Sequence, residues 1–382
     1  MVLPKILEDD SLLEMLRLPE ILTQNKIGKK ISYFFYAICI LNFCGAPLIV
    51  LLNKEWNLLL SQYTAYVCGG PLIISHYIIL YHRSYQNTFE NLYYDIFPSL
   101  WPLRSLGSDD FNNFQKLAKL TKTVLKIVMV LALVAATGGI PWFGDNYHII
   151  LLMKLAVDNF DGWFLQTILI ILFLSFCHMA LTITGNVFCA TYLVMHLYNQ
   201  IRMLKLRLEN LSNSPDLAHA IHDPAYQDFI KTELISCIKL HQVLLQYKEK
   251  ICELSYYPTF YFSAGGVLIG LALILMPRTT LIIEVRVVFV ASVAIYTAIV
   301  FCVLGQLLED ESEKIFVSAY NSSWYLWNTK NRQLLCLFIL KTQETVVISS
   351  SGIITINHEL LIKLYQTIYS TFTFLLNVSK AL

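Results

Sequence analysis

Six polar side chains crowd the last apolar stretch of this chain: Gln366, Thr367, Ser370, Thr371, Thr373 and Asn377 lie between Leu364 and Val378. Thr367, Ser370, Phe374 and Asn377 are spaced at i, i+3, i+7 and i+10, so on a helix they form one stripe. At membrane depth such hydroxyls and amides must meet water or a partner, because bare hydrocarbon costs each group dearly. A stripe of neutral polar groups broken by one large apolar ring suits the wall of an aqueous pore with a hydrophobic constriction, which gates by dewetting. Equally, the hydroxyls could bond back to their own helix and hold neighbouring helices together. Composition alone leaves pore wall and helix glue both open. No ring of carboxylates lines this helix, so any ion selectivity built on it would be loose.

Other chemistry is hard to assemble. No nucleophile–base pair or metal-spaced Cys/His set occurs, so the chain reads as no enzyme and calls for no cofactor. Of nine cysteines, Cys39, Cys44, Cys68, Cys177, Cys189 and Cys302 lie in apolar runs, and Cys237, Cys252 and Cys336 lie between them. His178 and His196 sit within one long apolar run and read as hydrogen-bonded packing residues rather than metal ligands. No basic cluster interleaved with aromatics suggests nucleic acid.

The elements that must position the stripe are membrane spans. Only 14% of residues are charged and 56% are hydrophobic, against about 25% charged for a soluble domain. Apolar runs occur at 31–52, 57–81, 124–143, 163–198, 255–277, 287–308 and 360–378. Each is long enough to cross a hydrocarbon core of about 30 Å as a helix. With the N-terminus inside, the inner segments carry 21 of the 28 Lys and Arg, and the outer loops with the C-terminal tail carry 5. Lys126 and Lys363 sit at inner span ends, where they would snorkel to the interface. Such a bias over short loops orients a chain. The expectation is an all-α membrane protein of seven transmembrane helices, N-terminus cytoplasmic and C-terminus extracellular.

The chain then divides into a cytoplasmic segment 1–30, spans one to four at 31–198 and a cytoplasmic helical loop at 199–254. Spans five and six follow at 255–308, then cytoplasmic anchor helices at 309–359, and span seven with a short extracellular tail at 360–382. Ser11–Glu20 reads as an amphipathic surface helix, and Phe111–Lys122 as a helical lead-in to span three. Span four holds 36 residues without an acidic or basic side chain. A helix of that length runs about 54 Å, more than tilt absorbs, so it should project into the cytosol through Arg202, Lys205 and Arg207. A second helix, Tyr226–Glu253, would lead back to span five. After Glu309, Asp310, Glu311 and Glu313 come amphipathic helices Ile315–Trp327 and Arg332–Lys341. These helical extensions would form an anchor region suited to contacts between subunits.

The run Phe301-Cys302-Val303-Leu304-Gly305-Gln306-Leu307-Leu308 resembles the end of span six in insect odorant receptors, including its Gly-Gln pair. Ala319-Tyr320 with Trp324, the stretch at Gln343, and Tyr369-Ser370-Thr371-Phe372-Thr373-Phe374-Leu375-Leu376 resemble the same family in order and spacing. The likeness covers about the last eighty residues. It implies an odorant-gated, non-selective cation channel in the plasma membrane of sensory neurons, a heterotetramer with the family's shared coreceptor. It also implies that span seven lines the pore, with Thr367, Ser370 and Asn377 on its wall and the gate at Phe374 or the neighbouring Leu375. The 199–254 loop lacks the coreceptor's longer insertion, so this chain resembles a tuning subunit.

The same resemblance implies a pocket for a small volatile in the outer half of spans two, three, four and six. Candidate lining residues are Tyr63, Tyr66, Ala135, Gly138, Trp142, Phe164, Thr167, Phe289, Ser292 and Tyr296. Gly138 and Trp142 share one helical face, with room beside the ring. For each, packing between helices is the plain alternative. A gustatory-type channel working without the coreceptor is the rival reading. A seven-helix G-protein-coupled receptor needs the opposite orientation, and a transporter would show mid-span ions or inverted repeats.

Overall fold

The computed structural model describes residues 26–42, 92–102, 108–138, 151–211, 222–275, 281–350 and 354–381. The surface helix expected at Ser11–Glu20 and all of span two lie outside them. The first helix, α1 (Lys26–Ile40), lays Ser32, Tyr36 and Cys39 in the protein interior at helical spacing. Residues 92–99 form a short turn of π and 3-10 helix that buries Leu92, Ile96 and Phe97. Helix α2 (Ser108–Gly138) opens with Asp109 and Asp110, acids that suit the positive end of a helix dipole. The lead-in and span three as far as Gly138 are thus one helix.

A nine-residue helix, α3 (Leu151–Asn159), occupies the stretch expected as an outer loop. Its Met153 and Ala156 are buried, Met153 in a small core with Tyr36, Cys39, Leu172 and Phe176. Gly162 then turns the chain at φ +67°, a conformation that L side chains resist. Helix α4 (Gly162–Asn210) runs unbroken for 49 residues, about 74 Å. Its first half is largely outward-facing; from Val187 to Leu204 it is almost wholly buried.

Helix α5 (Pro224–Leu275) starts where local chemistry dictates. Pro224 is the first helical residue, and Asp223 Oδ1 accepts from the Ala225 N–H at 3.0 Å. Helix α6 (Leu281–Tyr320) passes straight through the acidic run, so the expected separate helix Ile315–Trp327 is its continuation plus a 3-10 turn at Trp324–Leu326. No proline follows Pro277 to break it. Helix α7 (Thr329–Thr342) is capped by Asn328, whose Oδ1 accepts from Asn331 N at 2.9 Å. A two-residue hairpin, β1 (Ser349–Ser350) antiparallel to β2 (Ile354–Thr355), leads to α8 (His358–Ala381).

The main core sits where the ends of these long helices converge. Leu193, Leu197, Leu204 and Leu208 of α4 pack with Leu234, Leu240 and Leu244 of α5, Leu308 and Ile315 of α6, and Leu335 and Phe338 of α7. Among the described residues, α4 and the 292–326 part of the chain are long and apolar enough to cross a membrane.

Candidate functional site

Among the described residues, helix α8 leaves one of its faces exposed, and that face carries the polar stripe. Thr367, Ser370, Phe374 and Asn377 are all exposed, Phe374 to 66%. Tyr365 and Tyr369 are exposed too, their rings stacked with centroids 6.5 Å apart. The threonine hydroxyls turn inward on their own helix. Thr367 Oγ1 donates to Lys363 O at 2.8 Å, Thr371 to Thr367 O at 2.7 Å and Thr373 to Tyr369 O at 2.9 Å. Satisfied this way, they require no second helix. Leu375 follows Phe374 on α8; its side chain lies outside the described residues.

The first turn of α8 is held firmly. Asn357 Oδ1 accepts from Leu360 N at 3.3 Å, a cap of the kind asparagine favours. Gln306 Oε1 on α6 accepts from His358 N at 3.3 Å. Gly305 lies directly beneath Ile356, so closely that a Cβ built on it would stand 1.8 Å from the Ile356 carbonyl oxygen.

The expected pocket residues fall into separate groups. Tyr63, Tyr66 and Trp142 lie outside the described residues. Ala135 is half-buried on α2, and Gly138 is that helix's last residue. Phe164 and Thr167 share one face of α4's first turns; Phe164 is 44% exposed, edge-on to Phe160 at 5.0 Å, and the Thr167 hydroxyl donates to Trp163 O at 2.9 Å. Trp163, 78% exposed, completes an aromatic cluster that was overlooked, although Phe160-Asp161-Gly162-Trp163-Phe164 announces it in the sequence. On α6, Ser292 is half-buried and Tyr296 is 48% exposed one turn on; Phe289 lies on the same helix, its side chain outside the described residues.

His178 is a packing residue, its Nε2 2.9 Å from Ser32 Oγ and its ring 5.2 Å from that of Phe35. His196 lies buried among Phe97, Tyr192 and Tyr247.

Polar chemistry in the converging helix ends is structural. Gln227 of α5 binds α7 and the turn before it through four contacts: Nε2 to Leu326 O at 3.0 Å, Oε1 from Asn328 N at 2.8 Å, and its two oxygens from Asn331 Nδ2 at 2.9 and 3.0 Å. Arg207 forks onto Glu233 at 2.6 and 2.8 Å. Glu311 is buried between Lys205 at 3.3 Å and Lys314 at 2.8 Å. Burial alone would raise its carboxyl, but the Lys314 hydrogen bond and the two ammonium charges outweigh this and hold it below the usual range. Burial pushes the His241 imidazole down to about 4, and the Cys237 thiol up to about 12.

Comparison with known proteins agrees with this architecture. The family model described as 7tm odorant receptor matches residues 111–369. Odorant receptor 22b of Drosophila melanogaster is 23% identical over 175 residues, 45% of this chain and 42% of that protein. Odorant receptor 85a of the same fly is 24% identical over 143 residues, 37% and 36% of the two chains. The matched region therefore spans less than half the length of either relative. Two structures of the insect olfactory receptor OR5 from Machilis hrabei resemble the chain almost throughout. One has a TM-score of 0.67 at 12% identity, covering 92% of this chain and 89% of that one. The other, in complex with eugenol, has a TM-score of 0.69 at 13% identity, covering 96% and 97%. At such identity the likeness speaks to fold alone, a seven-helix membrane fold. With well over half its length inside the family model, and that fold throughout, this chain belongs to the 7tm odorant receptor family of insects, which are receptors of olfaction and not a class of enzymes.

Proposed function

We propose that this chain is the ligand-tuning subunit of an odorant-gated, non-selective cation channel in the plasma membrane of sensory neurons. It assembles as a heterotetramer with the family's shared coreceptor, N-terminus inside and C-terminus outside. The carrying observation is the uncovered face of α8. Thr367, Ser370, Phe374 and Asn377 are left exposed on one stripe. Polar side chains left exposed on one face of a membrane span call for water or another subunit, and that exposure supports a water-facing wall. Four such helices around an axis would make a ring of Phe374, with Leu375 as the neighbouring alternative, that excludes water when narrow.

The ligand would enter the outer half of the bundle, near Tyr63, Tyr66, Ala135, Gly138, Trp142, Phe164, Thr167, Phe289, Ser292 and Tyr296. Eugenol, held by the Machilis receptor, is small, aromatic and carries one hydroxyl, which is the chemistry such a set of aromatics and hydroxyls accommodates. Occupancy opens the ring only through tighter binding to the open arrangement.

Two-electrode recording in oocytes tests this, with the chain alone and with the coreceptor, against volatiles beginning with eugenol. Cation current that requires both subunits is expected, and Phe374→Ala should leak without ligand. Current from this chain alone would make it a self-sufficient, gustatory-type channel. Silence from every pairing, with no leak from Phe374→Ala at confirmed surface expression, would overturn the channel reading.

A further inference from the structure

Four residues of α6 at positions 305, 306, 309 and 312 lie on one helical stripe, and all four engage the same passing segment, Val346 to His358. Ser312 Oγ accepts from Val346 N at 2.6 Å. Glu309 Oε2 accepts from Asn357 Nδ2 at 3.3 Å, and Asn357 in turn caps Leu360. Gln306, its Nε2 held by Asp310 Oδ1 at 2.8 Å, offers Oε1 to His358 N. Beneath them Gly305 receives the Ile356 carbonyl, whose own N–H is tied across the hairpin to Ile348 O at 2.9 Å. Two of the four orphan N–H groups that every helix start presents are thus satisfied by α6 or by a side chain bonded to it.

Beyond this first turn, one face of α8 is open. Ile362, Tyr365, Tyr369 and Phe374 are all exposed. From His358 to Phe374 the helix runs about 24 Å, bonded to α6 at its first turn and exposed along one face. We infer that Gly305 and Gln306 form a seat that pins the first turn of α8 to α6 and sets the pivot about which its Phe374 end swings. This rests on the reading of α8 as the pore helix. Gly305 and Gln306 are positioning residues, at the end of α8 away from Phe374. A side chain at 305 would force the Ile356 carbonyl back by roughly 1.6 Å to reach ordinary contact, tilting the lever at its root.

Two measurements test the seat. The first is amide hydrogen exchange on the purified full-length chain in detergent, wild type against Gln306→Ala. The seat requires exchange at residues 358–360 to rise by up to about tenfold; unchanged exchange there overturns it. The second is ligand-free cation current with the coreceptor, at matched surface expression. Gly305→Ala should raise it roughly threefold or more, and Gln306→Ala should move it the same way by less. Unchanged basal current and unchanged half-maximal eugenol concentration in both variants would overturn the pivot. Should Gly305→Ala fail to reach the surface, Gln306→Ala decides alone. If wild type and Phe374→Ala carry no current at all, the channel reading has failed, and exchange still reports on the seat.

Discussion

Gln227 shows what a single side chain does at the point where the long helices converge. It is buried, about one hundred residues away from its partners in sequence, and it bonds Leu326, Asn328 and Asn331. Gln227→Ala removes one partner and strands several buried polar groups at once, each costing about 1–3 kcal/mol. The expected outcome is a lower melting temperature for the purified receptor and faster exchange in the first turn of α7. A variant as stable as wild type would mean that water replaces the amide without loss. Gly305 makes the complementary case, in which the absence of a side chain is the requirement. Its Gly-Gln pair stands out in the sequence as a marker of resemblance; the Ile356 carbonyl lying on it supplies the physical reason.

Among the elements, α4, α5 and α6 matter through their length. Each carries its apolar pattern past what a membrane needs, and their overrunning ends meet α7 in one core. Two titratable groups buried there make that core sensitive to acid. His241 packs edge-on to Phe338 of α7 at 5.4 Å. Its folded pKa lies near 4 against an ordinary 6.5. Between those values the unfolded chain binds a proton that the folded chain refuses, so stability falls as pH drops through that window and is unaffected above it. The loss is on the order of 2 kcal/mol at pH 5. Glu311 is depressed instead, so its contribution is complete above the ordinary carboxyl value and fades as pH falls below it. Exchange of α5 and α7 amides, corrected for intrinsic rate, should therefore accelerate between pH 7.5 and pH 5. His241→Phe should remove most of that acceleration; if it does not, another group senses the acid.

For the molecule as a whole, the charge bias of 21 to 5 makes orientation the decisive expectation. An epitope fused after Leu382 should be stained by antibody in intact cells, and one fused before Met1 only after permeabilisation. The reverse pattern would overturn the proposed topology, and with it the outward-facing gate at Phe374. Orientation also bears on assembly. In the proposed channel, the exposed face of α8 would meet its counterparts from other subunits around water.

How much of this was legible in the sequence depended on the range of the interaction. The helical character and great length of α4 follow from neighbours within one or two turns. By contrast, α5 starts at Pro224 and α7 at Thr329, ahead of the expected Tyr226 and Arg332, because the caps Asp223 and Asn328 act before the apolar period begins. Hydropathy, capping chemistry and charge are local, so they can be read in order along the chain. The continuity of α6 was missed because an acidic run looks like a boundary, yet helix geometry tolerates it when no proline or glycine intervenes at that point. The docking of α3 escaped because nine residues give too short a period to read. What only the tertiary structure decided is which surfaces find each other: Gln227 with Asn331, Met153 beside Tyr36, the Ile356 carbonyl on Gly305, and the polar stripe of α8 left exposed among the described residues. Those contacts join residues far apart in the chain, and pairing at that distance is settled by packing in three dimensions, not by periodicity along one.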